Sequence, residues 1–143
     1  MIVDDERDVV TLIKFLLERH GHTVSTAYNG VEALKALGIE PEAPPTKDRP
    51  DLIVLDVMMP VMDGKAVARR IAGVETLKNV PLIVLSGKGQ IREDFKKLKL
   101  KSHFLEKPFD PKQLRHLIDT LLKGDSPGGE VDVEQRPWRP YSS

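Results

Sequence analysis

The feature that most constrains the fold is an uninterrupted aliphatic run, Leu-Ile-Val-Leu at residues 52–55, which ends at Asp56. A strand with apolar side chains on both faces has to be covered on both faces, and such strands are typical of parallel sheets flanked by helices. A second aliphatic run, at residues 82–85, ends at Ser86. The two runs therefore predict an α/β fold around buried parallel strands.

Short apolar runs alternate with amphipathic stretches along residues 1–123. The pattern predicts strands at residues 1–3, 22–27, 52–55, 82–85 and 103–105, and helices at 8–20, 31–37, 65–71, 91–98 and 111–122. Asp110 and Pro111 supply an N-cap and a first-turn proline for the last helix. Strands that alternate with helices across short connections favour right-handed crossovers over a parallel sheet. The first strand is expected to be unusually short, because only three residues precede Asp4.

Length and composition predict one domain, at residues 1–123, followed by a disordered tail at 124–143 that is rich in Gly, Pro, Ser and charge. Residues 38–50 contain four prolines and should form an exposed loop. The chain has 22 basic and 22 acidic residues, so no overall field favours nucleic acid or a membrane as a direct partner. It lacks cysteine and any apolar run of the roughly 20 residues needed to cross a bilayer, so a cytoplasmic location is expected.

Charged and polar side chains follow four of the predicted strands. Asp4 and Asp5 follow the first, Asp56 ends the third, Ser86 ends the fourth and Lys107 follows the fifth. Open α/β sheets place their sites at the carboxyl ends of strands. Carboxylates about 5 Å apart would repel one another by roughly 3 kcal/mol per pair, so cations are required. A lysine and an oxygen-ligated Mg²⁺, or Mn²⁺ in its place, would meet this need and would suit phosphoryl transfer.

Four motifs resemble those of the response-regulator receiver family, the CheY-like group of two-component signalling. They are Val-Asp-Asp-Glu at 3–6, Leu-Asp-Val-Met-Met-Pro-Val-Met-Asp-Gly at 55–64, Leu-Ser-Gly at 85–87 and Lys-Pro-Phe at 107–109. The resemblance covers about residues 1–123. It implies a flavodoxin-like (βα)5 fold, with a doubly wound parallel five-stranded sheet in strand order 2-1-3-4-5.

The resemblance also implies a role for each acidic residue. Asp56 would accept a phosphoryl group from the phosphohistidine of a sensor histidine kinase or of a phosphotransfer protein. Asp5 would bind Mg²⁺ directly and Asp4 largely through water. Asp56 and the backbone carbonyl of Met58 would complete the protein ligands. The chain would be a signalling phospho-acceptor that catalyses only its own phosphorylation and dephosphorylation.

The same resemblance implies a conformational switch. Lys107 would pair with Asp56 and the phosphoryl oxygens, and Ser86 would hydrogen-bond one of them. Phe104 occupies the aromatic switch position, and the Lys107–Pro108 peptide bond would be cis. The responsive face would comprise the fourth helix, fifth strand and fifth helix, and it would bind an unidentified protein target or form a phosphorylation-dependent homodimer. Since phenylalanine has no hydroxyl, the switch is expected to depend on packing alone.

Two residues are predicted to set the lifetime of the phosphoryl group. Met58 lies two residues after Asp56, and Lys88 lies two residues after Ser86. Both would flank the path of attacking water. Met58 would shield the phosphoryl group, and Lys88 would hinder the water by its bulk and charge. A long-lived aspartyl phosphate is then expected.

Three other functional classes fit the pattern less well. A pseudo-receiver that is not phosphorylated would be expected to lack an acidic residue, the nucleophile or the lysine. A haloacid-dehalogenase-type phosphatase needs a second Asp where Met58 stands, and a flavin-binding flavodoxin needs a phosphate loop after the first strand that is missing here. The four histidines are interpreted as surface or edge residues. A basic cluster is either a solvated helix face or a docking surface for an acidic partner; its members are Lys88, Arg92, Lys96, Lys97, Lys99 and Lys101.

Overall fold

Five parallel strands form one sheet in the order β2-β1-β3-β4-β5, in a computed structural model that describes residues 1–39, 49–87 and 92–124. The strands are β1 (Ile2–Val3), β2 (Thr26–Ala27), β3 (Ile53–Asp56), β4 (Leu82–Ser86) and β5 (Ser102–Glu106). The helices are α1 (Arg7–Arg19), α2 (Gly30–Ala36), α3 (Gly64–Ala72), α4 (Arg92–Lys96) and α5 (Pro111–Leu122). The predicted flavodoxin-like topology is confirmed.

The two central strands alternate their side chains between two apolar layers. In β3, Ile53 and Leu55 pack on one side with α2, α3 and α4, whereas Val54 packs on the other side with α1 and α5. In β4, Val84 and Leu85 divide in the same way. Each layer covers one face of the sheet, which explains why the sequence of these strands is aliphatic without interruption.

The shortness of β1 is confirmed, and it also limits β2. Ile2 is in register with Thr26 and Val54, and Val3 is in register with Ala27 and Leu55. The prediction of a strand over residues 22–27 is wrong in extent, because β2 pairs with β1 alone and β1 offers two residues. By contrast, β5 is longer than predicted because it pairs along the whole of β4.

Helix ends follow the predicted signals with one exception. The Asp110 carboxylate accepts from the N–H of Lys112 at 2.9 Å, and Gly21 adopts a φ of +88° just after α1. The predicted extension of the fourth helix to residue 98 is wrong, since α4 ends at Lys96. The chain then turns through Lys99, whose φ of +57° lies in the left-handed region and is incompatible with continuing the helix.

Several predictions concern residues outside the described ranges. They include most of the proline-rich loop, at residues 40–48, and also Lys88 and the tail at 125–143. Within the described residues, no helix combines the length and apolar character needed to span a bilayer.

Candidate functional site

Three carboxylates meet at the carboxyl end of the sheet. Asp4 and Asp5 follow β1, and Asp56 is the last residue of the adjacent strand β3. One oxygen from each of the three lies within 4.8 Å of the others. Asp4 is 0% exposed and Asp56 is 2% exposed, while Asp5 is the more accessible member of the acidic pair. The three carboxylates therefore converge, as their positions at the ends of the strands predicted.

Lys107 supplies the positive charge at this site. Its Nζ lies 3.4 Å from Asp4 Oδ2, 3.4 Å from Asp56 Oδ1 and 3.6 Å from Glu6 Oε1. Its backbone N–H donates to the carbonyl of Ser86 at 2.7 Å, which ties the end of β5 to the end of β4. Glu6 was not predicted as a site residue. Its place directly after the acidic pair was visible in the sequence, but its approach to Lys107 was not.

The electrostatics of the site favour protonation of Asp56 in the metal-free protein. Burial raises the pKa of Asp56 to about 7, and the charge of Asp4 adds to this effect, while Lys107 and the N–H of Met58 oppose it. Burial alone would lower the pKa of Lys107, but the charges of Asp56, Asp4 and Glu6 raise it above its ordinary value. The site is therefore short of positive charge.

The loop between β3 and α3 shapes the rim of the site. A Cβ on Gly64 would lie 2.6 Å from the carbonyl oxygen of Asp56, so only glycine allows α3 to begin this close to the acidic residue. The N–H of Met58 donates to Asp56 Oδ1 at 3.3 Å. The side chains of Met58 and Val61 are 72% and 91% exposed, and Val61 has a φ of +70°. Both apolar side chains stand at the protein surface.

The remaining predicted residues lie on β4, on β5 and just after β5. Ser86 is buried at the end of β4. Phe104, in the middle of β5, packs edge-on against the buried Phe95 of α4, with ring centroids 5.9 Å apart and an interplanar angle of 81°. The Lys107–Pro108 peptide bond is cis.

The carboxylate cluster fits a hard divalent cation. Its donors are all oxygens, and the more accessible Asp5 leaves room for water, as Mg²⁺ prefers. Within the described ranges, no other trio of histidine, aspartate or glutamate side chains comes close enough to hold a metal ion. The chemistry of the donor set is therefore compatible with the predicted Mg²⁺ or Mn²⁺.

Within the described residues, the histidines belong to no cluster that could hold a metal ion. His20 and His116 are exposed, and His22 Nε2 lies 2.8 Å from Asp119 Oδ1, a contact the sequence did not reveal. In the basic cluster, Lys96 pairs with Glu93 at 3.5 Å, and Lys97, Lys99 and Lys101 are exposed.

Comparison with known proteins identifies the family. Residues 1–119 match the family model described as the response regulator receiver domain. The chain belongs to the response-regulator receiver family. Receiver domains of two-component systems are signalling phospho-acceptors rather than conventional enzymes, and they bind Mg²⁺ in an acidic pocket.

One relative is the alkaline phosphatase synthesis transcriptional regulatory protein PhoP of Bacillus subtilis. It is 35% identical over 124 residues, which are 86% of this receiver and 48% of PhoP. The receiver spans about half the length of the curated relatives it matches.

Solved structures show the same fold. The receiver domain of a signal transduction histidine kinase from Syntrophus aciditrophicus has a TM-score of 0.72 and 30% identity, with 91% of this chain and 93% of that chain covered. The receiver domain of sensor histidine kinase PA1611 from Pseudomonas aeruginosa has a TM-score of 0.70 and 25% identity, with 85% and 94% covered. In that structure a magnesium ion is coordinated in the active-site cleft.

Removing the Asp56 charge should stabilise the metal-free receiver at high pH. Folded Asp56 holds its proton up to about pH 7, whereas an ordinary aspartate releases it near pH 3.8, so the free energy of unfolding falls as pH rises across this window. We expect Asp56→Asn to be more stable than wild type by on the order of 2–4 kcal/mol at pH 8, and equally stable near pH 4. Urea unfolding in chelator-treated buffer measures both differences. A wild type that is the more stable protein at pH 8 would contradict the burial argument.

Proposed function

We propose that the receiver accepts a phosphoryl group on Asp56 from the phosphohistidine of a sensor histidine kinase or a phosphotransfer protein. The observation that carries this proposal is a buried carboxylate held beside two others and one lysine, an arrangement that costs folding free energy and is matched to an incoming phosphoryl group. An Asp56 oxygen forms the new bond to phosphorus, the P–N bond breaks and the imidazole nitrogen keeps the electron pair. The product is an acyl phosphate.

Asp5 is proposed to bind Mg²⁺ directly and Asp4 mainly through water. Asp56 and the backbone carbonyl of Met58 complete the protein ligands, and Mn²⁺ can take the same place. When bound, the cation neutralises the carboxylates and the phosphoryl oxygens, which is the main requirement of phosphoryl transfer. The short distances among Asp4, Asp5 and Asp56 support this assignment.

Lys107 and Ser86 are proposed to hold the phosphoryl oxygens. Lys107 already lies 3.4 Å from Asp56 Oδ1, so a small movement of its side chain can bring Nζ to an oxygen added there. Ser86 carries a hydroxyl at the end of the neighbouring strand β4. Both side chains donate hydrogen bonds, which suits the additional acceptor oxygens.

Phe104 is proposed to transmit the change to the face formed by α4, β5 and α5. Movement of Ser86 toward the phosphoryl group would open space for the ring of Phe104, whose contact with Phe95 then changes. Because Phe95 is a buried residue of helix α4, this contact links the ring to the position of the helix. The link is one of packing alone.

The relatives of the receiver help to define its downstream partner. A related protein is named a transcriptional regulatory protein, and the receiver covers about half of it. The downstream target of the α4-β5-α5 face is proposed to be a protein or a second receiver, with nucleic acid contacted by other parts of such a regulator. The pseudo-receiver alternative is not favoured, because the acidic pair, the acceptor and the lysine are all present and converge.

Phosphoryl acceptance can be tested directly. Incubation with Mg²⁺ and acetyl phosphate should add ~80 Da, the mass of one phosphoryl group, to wild type and none to Asp56→Asn, as measured by intact-protein mass spectrometry. Chelation of the metal should prevent the adduct because the carboxylates then repel the anionic donor. An adduct of equal yield on Asp56→Asn would place the acceptor elsewhere.

In this proposal, the lifetime of the adduct depends on Met58 and Lys88, which hinder the approach of attacking water. Met58→Asn replaces an apolar side chain beside the acceptor with one that can hold water, so the phosphorylated protein should lose its ~80 Da several-fold faster once acetyl phosphate is removed. Lys88→Ala, at the second proposed position, should act in the same direction. Decay rates equal to that of wild type in both variants would show that these residues are ordinary rim residues.

The switch can be separated from the chemistry. Phe104→Ala should keep full phosphoryl acceptance and lose most of the phosphorylation-induced amide shifts of α4, since the Phe95–Phe104 contact is removed. NMR spectra recorded before and after phosphorylation measure both properties in one sample. Wild-type shifts in α4 of the phosphorylated variant would exclude Phe104 as the transmitting residue.

A further inference from the structure

Glu6 occupies the N-cap position of α1 without capping it. Ser, Thr, Asp and Asn are preferred at this position because a short side chain can accept from the first turn of the helix. The Glu6 side chain makes no such hydrogen bond. Its backbone N–H instead donates to Asp4 Oδ1 at 3.0 Å, which places the residue beside the acidic cluster. Its carboxylate is therefore available for another contact.

That contact is the ammonium of Lys107. Nζ lies 3.6 Å from Glu6 Oε1 and 3.4 Å from one oxygen each of Asp4 and Asp56. A lysine ammonium has three N–H donors, and here three carboxylates face it. A phosphoryl oxygen can therefore accept from one of the three N–H donors of Lys107 only if one of the three carboxylates moves away from the ammonium.

Glu6 is the partner that can be released most easily. Asp4 is 0% exposed, so losing the lysine would leave a buried carboxylate less well compensated. The Glu6 side chain is 59% exposed, so water can solvate its carboxylate when the ion pair opens. Asp56 is the acceptor itself and stays next to the lysine.

We propose that Glu6 is a positioning residue that holds Lys107 in the unphosphorylated receiver and competes with the phosphoryl group for it. This inference rests on phosphoryl acceptance by Asp56. With acetyl phosphate as donor, the Asp56 O–P bond forms, the P–O bond to the acetyl group breaks and acetate leaves with the electron pair. Lys107 keeps its proton throughout and exchanges Glu6 for a phosphoryl oxygen. Glu6 thus slows the transfer of the phosphoryl group to Asp56. Because Glu6 also attracts Lys107 away from the phosphoryl oxygens, it shortens the lifetime of the phosphoryl group.

The test compares Glu6→Gln with Asp8→Asn. Asp8 is exposed in the same first turn of α1 and has no ion pair with any described residue, so its substitution removes an equal charge without touching Lys107. In buffer with Mg²⁺ and low salt, Glu6→Gln should form the adduct about two- to fivefold faster than wild type, a size that matches the small free energy of a partly exposed ion pair. The variant should also lose the adduct more slowly. Asp8→Asn should match wild type. In ~1 M salt, where the Debye length is about 3 Å, the advantage of Glu6→Gln should shrink toward one.

A second measurement needs neither metal nor phosphoryl group. The ¹³Cε resonance of Lys107 should move in metal-free Glu6→Gln and stay in place in Asp8→Asn. Unchanged rates and resonance in Glu6→Gln, or equal acceleration in Asp8→Asn, would overturn the role of Glu6. A wild type that forms no adduct would instead overturn phosphoryl acceptance, and the resonance of Lys107 would still test the contact. Equal melting temperatures of the three proteins check that each variant is folded.

Discussion

The repulsion among three carboxylates at one end of the sheet is the constraint on which the rest of this structure depends. At a separation of about 5 Å each ionised pair is unfavourable by roughly 3 kcal/mol, and two members of the trio are almost completely buried. One lysine cannot offset this, as the raised pKa of Asp56 indicates. The folded receiver is therefore poised to gain from any ligand that brings positive charge or that uses the lysine.

The charged groups are held close together because they lie at the ends of buried, hydrogen-bonded strands. Asp56 ends a strand whose side chains are buried on both faces, and Gly64 lets the next helix begin against the carbonyl oxygen of Asp56. Lys107 is tied to the end of β4 through its backbone. The short β1 is the weak point of the arrangement, since only two residues of this central strand are paired on each side. Of the two carboxylates that follow it, Asp4 accepts a hydrogen bond from the N–H of Glu6 directly before α1.

The periphery of the site is built differently from its centre. Met58 and Val61 expose apolar side chains, Glu6 is a partly exposed anion, and α4 has five residues anchored by Phe95. Elements with few buried contacts open at low free-energy cost. A buried acidic centre is therefore surrounded by elements that can move at a lower free-energy cost.

Much of the molecule was determined by local sequence. The aliphatic runs before Asp56 and Ser86 specified buried parallel strands, and Asp110 and Pro111 specified the start of α5. The positions of acidic residues after two strands specified where three carboxylates converge. These features could be predicted because period, capping and strand ends are properties of neighbouring residues.

Tertiary structure decided the rest. The length of β2 depends on the two residues that β1 can pair, and the end of α4 depends on a left-handed Lys99. The contact of Glu6 with Lys107 joins residues 101 positions apart in sequence. Such features arise from the relative placement of helices and strands. The sequence near a residue does not encode its distance from residues on other elements.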